Sequence, residues 1–247
     1  MNKVTQNFLL LLVGATTTKI ALDGTYLRYV KPSLHWLLLA AGLVVLGLAV
    51  VEIVRDMRRA ARVATADAHA GHHHGGGRYW LLLVPTAVVL FLHPPALGAQ
   101  SVGTVPAAPA AAAERIPFRP LPAGDVVPLK LRDLINRATR DSTSSLNGRQ
   151  IETSGFLVAT ADGGSPRLDG TTGGVDLARI VITCCAADAR SIRIHLSGAL
   201  GEYPDGAWVV VRGTVVPDSA VPATGNTPTF EVTSIRPIPE PENTYQY

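Results

Sequence analysis

Two adjacent cysteines, Cys184 and Cys185, are the residues whose type and spacing point most clearly to chemistry. Neighbouring Cα atoms lie about 3.8 Å apart across a trans peptide, whereas ordinary disulfides need about 4.4–6.8 Å. A bond between these two sulfurs would be strained and easily reduced, so it would be a poor structural cross-link. Two thiols side by side instead favour the binding of a soft ion, such as Zn, Cu or As(III), or a redox contact.

Two thiolates do not complete a zinc site, because zinc takes about four ligands. Asp188 and His195 are the nearest side chains of a suitable type, and a second chain is another possible source of ligands. The alternative is that Cys184 follows Ile180 and Ile182 into a hydrophobic core, as free cysteines often do. The spacing of the residues leaves both interpretations open.

A second group of potential ligands is a histidine cluster made of His69, His72, His73 and His74. Clustered imidazoles bind Zn, Ni, Co or Cu. The same stretch is rich in Ala and Gly, which is also typical of a hydrophilic tether. We therefore treat these histidines as a candidate metal site on the opposite side of the membrane from the two thiols.

Three apolar segments, at 4–22, 34–54 and 80–99, are expected to position these groups. A bilayer core of ~30 Å needs about 20 apolar residues in a helix, so each segment is a candidate transmembrane helix. The first is the least apolar and contains Lys19. An alternative interpretation of that segment is a signal peptide, but it lacks a convincing small-residue cleavage site.

The basic residues of the loops predict an orientation in the plasma membrane. Five arginines lie between the second and third segments, against three basic residues between the first and second. The positive-inside rule then places the amino terminus in the cytoplasm and everything after residue 100 outside. The five arginines are Arg55, Arg58, Arg59, Arg62 and Arg78, and the three basic residues of the other loop are Lys19, Arg28 and Lys31. The prediction is a multi-pass protein surrounded by membrane lipid.

The composition excludes several classes of protein. Charged residues make up 17% of the chain and hydrophobic residues 47%, which disfavours a wholly soluble protein. The basic excess lies among apolar segments, which argues against a nucleic-acid partner. The chain contains no Walker loop, no Gly-x-Ser-x-Gly motif and no His-Glu-x-x-His motif. Nothing in the sequence therefore points to an enzyme.

The domain organisation follows from these changes in composition. Residues 1–100 form the membrane region, 101–128 are an Ala- and Pro-rich linker, and 129–247 form a small domain. Apolar residues at helical spacing predict a short helix over 129–140. Five β-rich segments follow, at 151–160, 178–183, 191–196, 207–216 and 229–235. Five short strands in about 100 residues favour an all-β, OB-like barrel, with an open sandwich as the alternative.

The segment 191–196 shows the clearest strand pattern in this domain, because apolar and polar residues alternate along it. Such alternation predicts one buried face and one solvated face. The predicted buried residues are Ile192, Ile194 and Leu196, and the predicted solvated residues are Ser191, Arg193 and His195.

The chain resembles the YcgQ-like family of permease subunits over most of its length. The most specific matching segment is Ala178–Ala189, which contains the two cysteines. The other matching segments are Gly24–Pro32, Pro94–Gly98, Gly206–Gly213 and Pro241–Tyr245. The resemblance implies a membrane protein that works with a separate multi-span permease, and relatives of that permease include metalloid exporters.

Three functions are consistent with these observations. The first is a non-catalytic accessory subunit of a two-component permease, as the resemblance implies; the solute is left open, and a soft metal or metalloid is the candidate that fits the dithiol. The second is a membrane-anchored dithiol module that binds metal or senses redox state. The third is an OB-like interaction domain without a ligand, in which the cysteines only pack.

Overall fold

The computed structural model describes residues 3–63, 95–108, 114–159, 174–198, 201–221 and 224–247. The chain divides into two compact units, Met1–Ala96 and Leu97–Tyr247. The histidine cluster at 69–74 and residues 80–94 of the third apolar segment lie outside the described residues.

The described residues of the amino-terminal unit form two long helices, α1 (Lys3–Leu22) and α2 (His35–Val63). Within the described residues, Pro32–Arg59 is the one helix long and apolar enough to cross a membrane, and its most apolar 18-residue window has a mean hydropathy of 2.7. The apolar part of α1, Gln6–Leu22, is shorter. One candidate membrane helix is therefore established, while the multi-pass topology stays a prediction.

Small residues allow α1 and α2 to pack closely. Gly14 and Ala21 are buried on α1, and Gly42 and Ala49 are buried on α2. A Cβ atom added at Gly42 would lie only 2.7 Å from the Thr18 hydroxyl oxygen. Small residues at such contacts are typical of helix pairs in membranes, where close backbone approach replaces the hydrophobic effect as the source of attraction.

The described part of the carboxyl-terminal unit is a β-sheet domain with a short helix, α3 (Leu131–Arg140). Seven strands join in one sheet across the described residues of this unit. They are β1 (Val126–Pro128), β2 (Gln150–Ala159), β3 (Val175–Val181), β4 (Arg190–Ser197), β5 (Trp208–Val215), β6 (Thr229–Pro237) and β7 (Tyr245–Gln246). The predicted combination of amino-terminal helices with an all-β domain and a short helix is confirmed.

The strands follow the spatial order β1-β2-β5-β6-β4-β3-β7, and β3 also pairs with β2. Five strands, β2, β3, β4, β6 and β5, therefore pair in a closed circuit. Within it β4 and β6 run parallel, and the other four pairs are antiparallel. The short strands β1 and β7 each add in parallel to one member of the circuit.

The core of the domain is formed by the inner faces of these strands and one face of α3. Leu131 and Leu134 of α3 are completely buried, as are Ile194 of β4 and Phe230 of β6. The helix begins at Leu131 rather than at 129, because the backbone of Lys130 is extended. Its apolar face packs with the strand residues in one continuous cluster.

The segment 101–128, predicted to be a spacer, contacts the β domain at several points. The Ala108 N–H donates to the Ser191 carbonyl at 2.9 Å, and the Ile116 N–H donates to the Arg140 carbonyl at 2.8 Å. These hydrogen bonds attach parts of the segment to β4 and to the end of α3. These two backbone donors thus find protein partners although the composition of the segment offers little apolar surface.

Candidate metal centre in the turn between β3 and β4

The two cysteines lie in the turn that connects β3, which ends at Val181, to β4, which begins at Arg190. A single 3-10 turn, Ala186–Asp188, follows them directly. Cys184 is exposed, Cys185 is partly buried, and both are free thiols. The turn thus presents the pair at the domain surface instead of packing it in the core.

The Asp188 carboxylate organises this turn through the backbone. It accepts hydrogen bonds from the N–H groups of Thr183 at 2.7 Å, Cys184 at 2.8 Å and Cys185 at 3.3 Å. The Cys185 side chain in turn caps the Asp188 N–H, which completes a capping box. The same contacts that fix the backbone therefore hold the carboxylate beside the sulfurs.

The side chains of the turn form a compact set of donor atoms. The Cys184 thiol donates to Asp188 Oδ2 with a sulfur–oxygen distance of 2.8 Å. The two Sγ atoms are 3.7 Å apart. One ligand atom from each of Cys184, Cys185 and Asp188 lies within 4.8 Å of the other two.

Electrostatics keeps the first thiol protonated at neutral pH. The hydrogen bond to Asp188, and then the neighbouring Cys185, raise the pKa of Cys184 to about 11. The pKa of Asp188 is held well below its usual range, first by the Cys184 thiol and then by the Thr183 N–H. Cys184 is therefore a protonated thiol beside the Asp188 carboxylate. A protonated thiol is a poor nucleophile, but a bound cation can replace its proton.

The spacing of the donors fits a thiophilic ion better than a disulfide. Two sulfurs bound tetrahedrally to one zinc ion at about 2.3 Å lie about 3.8 Å apart, close to the spacing seen here. A disulfide would require about 2.05 Å. The carboxylate of Asp188 supplies a third donor, which leaves room for one more ligand on a four-coordinate ion.

His195 lies elsewhere in the domain. It is paired in register with Asp176, near the start of β3, whereas the thiols follow the end of that strand. The His195 Nδ1 atom is 3.1 Å from Asp176 Oδ1, and Arg193 lies 3.7 Å from the other carboxylate oxygen. Burial raises the pKa of Asp176, while these two neighbours oppose the shift. The structure thus brings the thiols and Asp188 together and does not bring His195 to them.

Two features of this region were missed by the sequence analysis. One is the backbone role of Asp188, although the spacing Cys185-x-x-Asp188 has the form of a capping box and could have revealed it. The other is Ser191, which was predicted to be solvated. Ser191 is 2% exposed, and its hydroxyl has no hydrogen-bond partner among the described residues.

Comparison with known proteins relates the β domain to a described family model. Residues 137–247 match the family model described as the DUF1980 C-terminal domain. No curated protein matches the chain at a significant level. The match spans somewhat less than half of the chain and contains the whole turn from Thr183 to Asp188. The carboxyl-terminal unit, from within α3 to its last strand, is therefore similar to the DUF1980 C-terminal domain.

Proposed function

We propose that this protein is a membrane-anchored accessory subunit of a two-component permease, and that its β domain binds a thiophilic ion. The observation that carries the proposal is the set of three donors, Cys184, Cys185 and Asp188, on one exposed turn. Exposure of Cys184 also argues against the alternative in which the cysteines only pack. The ligand class follows from the sulfurs, which select Zn, Cu(I) or As(III) over hard cations.

The membrane anchor is supported by the surface of the amino-terminal helices. Large apolar side chains on α2, among them Trp36, Leu37, Val44 and Leu48, are exposed. A surface of this kind needs lipid or another apolar helix against it. We propose three spans, with the amino terminus in the cytoplasm and the β domain outside.

The permease partner is supported by the YcgQ-like resemblance, and the DUF1980 match is consistent with that family. We further propose that the closed circuit of five strands is an OB-type barrel. Its support is that β3 pairs with both β4 and β2, so that the circuit returns to its first strand. In this arrangement the dithiol turn projects from one end of a β-hairpin of the barrel.

The ion-binding part is tested by Zn²⁺ titration of the reduced full chain in detergent against a chromophoric indicator. The histidine cluster would interfere, so the reference protein carries His69→Ala, His72→Ala, His73→Ala and His74→Ala. In this background we expect one Zn²⁺ bound per β domain, and we expect Cys184→Ser with Cys185→Ser to abolish it. Asp188→Asn should weaken binding about tenfold or more. Equal binding by the double cysteine variant would contradict the proposal.

The affinity should depend on pH in one direction. Because the pKa of Cys184 is raised to about 11, its thiol is protonated at every pH between 6 and 8. Binding must displace that proton, so the affinity should rise at least about tenfold per pH unit across this range. The same titration repeated at pH 6, 7 and 8 measures the slope. A pH-independent affinity would show that the Cys184 thiolate is not a ligand.

The subunit part is tested separately by affinity purification from gently solubilised membranes. We expect a multi-span partner to copurify in a fixed ratio and to be lost when α1 and α2 are replaced by an unrelated membrane anchor. Purification of the chain without any partner would contradict the subunit proposal. It would not contradict the ion-binding proposal.

A second candidate function is a metal-binding or redox-sensing module that acts without transport. The observation that favours it is that all three donors come from one turn of one chain. The two functions differ in a cell-based measurement. Loss of an accessory subunit changes cellular accumulation of the ion, whereas loss of a sensor changes only the response to it.

A further inference from the structure

A groove beside α3 is lined by an unusual number of basic side chains. It has a volume of about 330 Å³ and lies between α3, the start of β4 and the loop Gly225–Thr227. No acidic residue is among its described lining residues. Its basic lining residues are Arg132, Arg140, Arg190 and Arg193.

Among the described residues, carboxylates pair with only one of these four arginines. Arg193 has Asp176 as its partner at 3.7 Å. In the part of the chain that the structure describes, the guanidinium groups of Arg132, Arg140 and Arg190 form no ion pair. A concave surface with several unpaired guanidinium groups attracts anions.

Two buried polar groups of residues that line the groove also have no hydrogen-bond partner among the described residues. The Ser191 hydroxyl is buried on β4, and the Arg140 Nε atom is buried at the end of α3. Buried polar groups in native proteins are almost always hydrogen-bonded, so orphaned ones point to a missing partner. An acceptor oxygen, whether of a bound anion or of water, would satisfy both donors.

We propose that this groove binds the phosphate group of a small molecule. Arginine presents planar, forked donors that match the oxygens of a phosphate, and the Ser191 hydroxyl adds a neutral donor. The groove is larger than inorganic phosphate requires, which leaves room for an organic part. A soluble phosphate monoester and a phospholipid headgroup share this chemistry. The site is independent of the proposed dithiol function, although Thr183 of the turn lies on the groove's border.

The test is calorimetric titration of the full chain in neutral detergent with inorganic phosphate and then with glycerol 3-phosphate. We expect saturable binding, tighter for the ester. Arg140→Gln and Arg190→Gln should each weaken it at least fivefold, and Ser191→Ala should weaken it severalfold. The matched control is Arg236→Gln, which removes the same charge from an exposed residue of β6 outside the groove.

Several outcomes would overturn the proposal. The first is an absence of saturable binding at millimolar phosphate, and the second is unchanged binding in Arg190→Gln. The third is an equal loss of binding in Arg236→Gln, which would indicate nonspecific attraction. Because Arg190 is exposed, its variant should fold, and an unchanged melting temperature verifies this. Cys184→Ser with Cys185→Ser should retain phosphate binding, so failure of this site and failure of the dithiol site are separable.

The two sources of phosphate are distinguished in nanodiscs. Phosphatidylglycerol added to phosphatidylcholine should lower the apparent affinity for glycerol 3-phosphate if a lipid headgroup occupies the groove. An unchanged affinity assigns the groove to a soluble phosphate monoester.

Discussion

Asp188 has two separate effects on the dithiol turn, one structural and one electrostatic. Its carboxylate accepts the N–H groups of Thr183, Cys184 and Cys185 and so fixes the turn. It also accepts the Cys184 thiol and raises the pKa of that thiol to about 11. Together these effects hold the protonated Cys184 thiol beside the ionised Asp188 carboxylate.

Replacement of this charge should make Cys184 more reactive. In a Cys185→Ala background, Asp188→Asn keeps an oxygen for the backbone N–H groups but removes the negative charge. The pKa of Cys184 should fall, so the thiolate fraction rises. Nucleophilicity falls with pKa with a Brønsted slope of about 0.5, so the net gain is roughly threefold per pKa unit.

The measurement is the rate of alkylation by iodoacetamide at pH 8, followed by mass spectrometry. The matched control is Asp205→Asn, an acidic residue outside the turn. An unchanged or slower rate in Asp188→Asn would show that the carboxylate does not control the thiol.

From the sequence, only the part of the candidate site whose residues are neighbours in the chain could be predicted. Cys184, Cys185 and Asp188 lie within five positions, so their proximity follows from local geometry. His195 is also near in sequence, but strand pairing sets it beside Asp176 at the far end of the hairpin. Alternation of apolar residues predicts which face a side chain occupies, not which residue of the next strand it meets.

At the scale of elements, all five predicted β-rich segments overlap observed strands, and the predicted helix overlaps α3. The strands β1 (Val126–Pro128) and β7 (Tyr245–Gln246) were not predicted. They have three and two residues, which is too short for an alternating pattern, and prolines lie in or near both. β1 pairs with β2 and β7 pairs with β3, and these partners are in place only once the sheet has folded.

The pairing of β5 with β6 depends on a glycine that has no room for a side chain. The register shifts between Arg212 and Gly213, which marks an irregularity in β5. A Cβ atom at Gly213 would lie 1.9 Å from the Glu231 carbonyl oxygen, so the two backbones would have to separate. The close approach therefore requires glycine at this position.

Gly213→Ala should destabilise the β domain by about 2–3 kcal/mol. For a domain of this size, that corresponds to a Tm lower by roughly 5–10 °C. The measurement is calorimetric melting of the full chain in detergent. Gly103→Ala is the matched control, because a Cβ atom there meets nothing within 4 Å. Equal melting temperatures for Gly213→Ala and the control would contradict the close approach of β5 and β6.

At the scale of the whole molecule, the two units differ in charge as well as in structure. Residues 1–100 carry nine basic and four acidic residues, and the remainder carries thirteen and fifteen. The helical unit therefore has a positive excess, and the β domain has none. The proposed orientation rests on the loops, because five arginines lie between the second and third apolar segments against three basic residues between the first and second.

The two cysteines allow the orientation to be tested without engineering new labels, because the chain has no others. A membrane-impermeant maleimide added to intact, reduced cells should label the protein if the β domain is outside. Labelling at pH 8.5 offsets the raised pKa of Cys184, whose exposed thiol is the expected target. Cys184→Ser with Cys185→Ser should give no signal, and disrupted cells should give no more signal than intact ones. Labelling that appears only after disruption would place the β domain in the cytoplasm, on the same side as the Arg-rich end of α2.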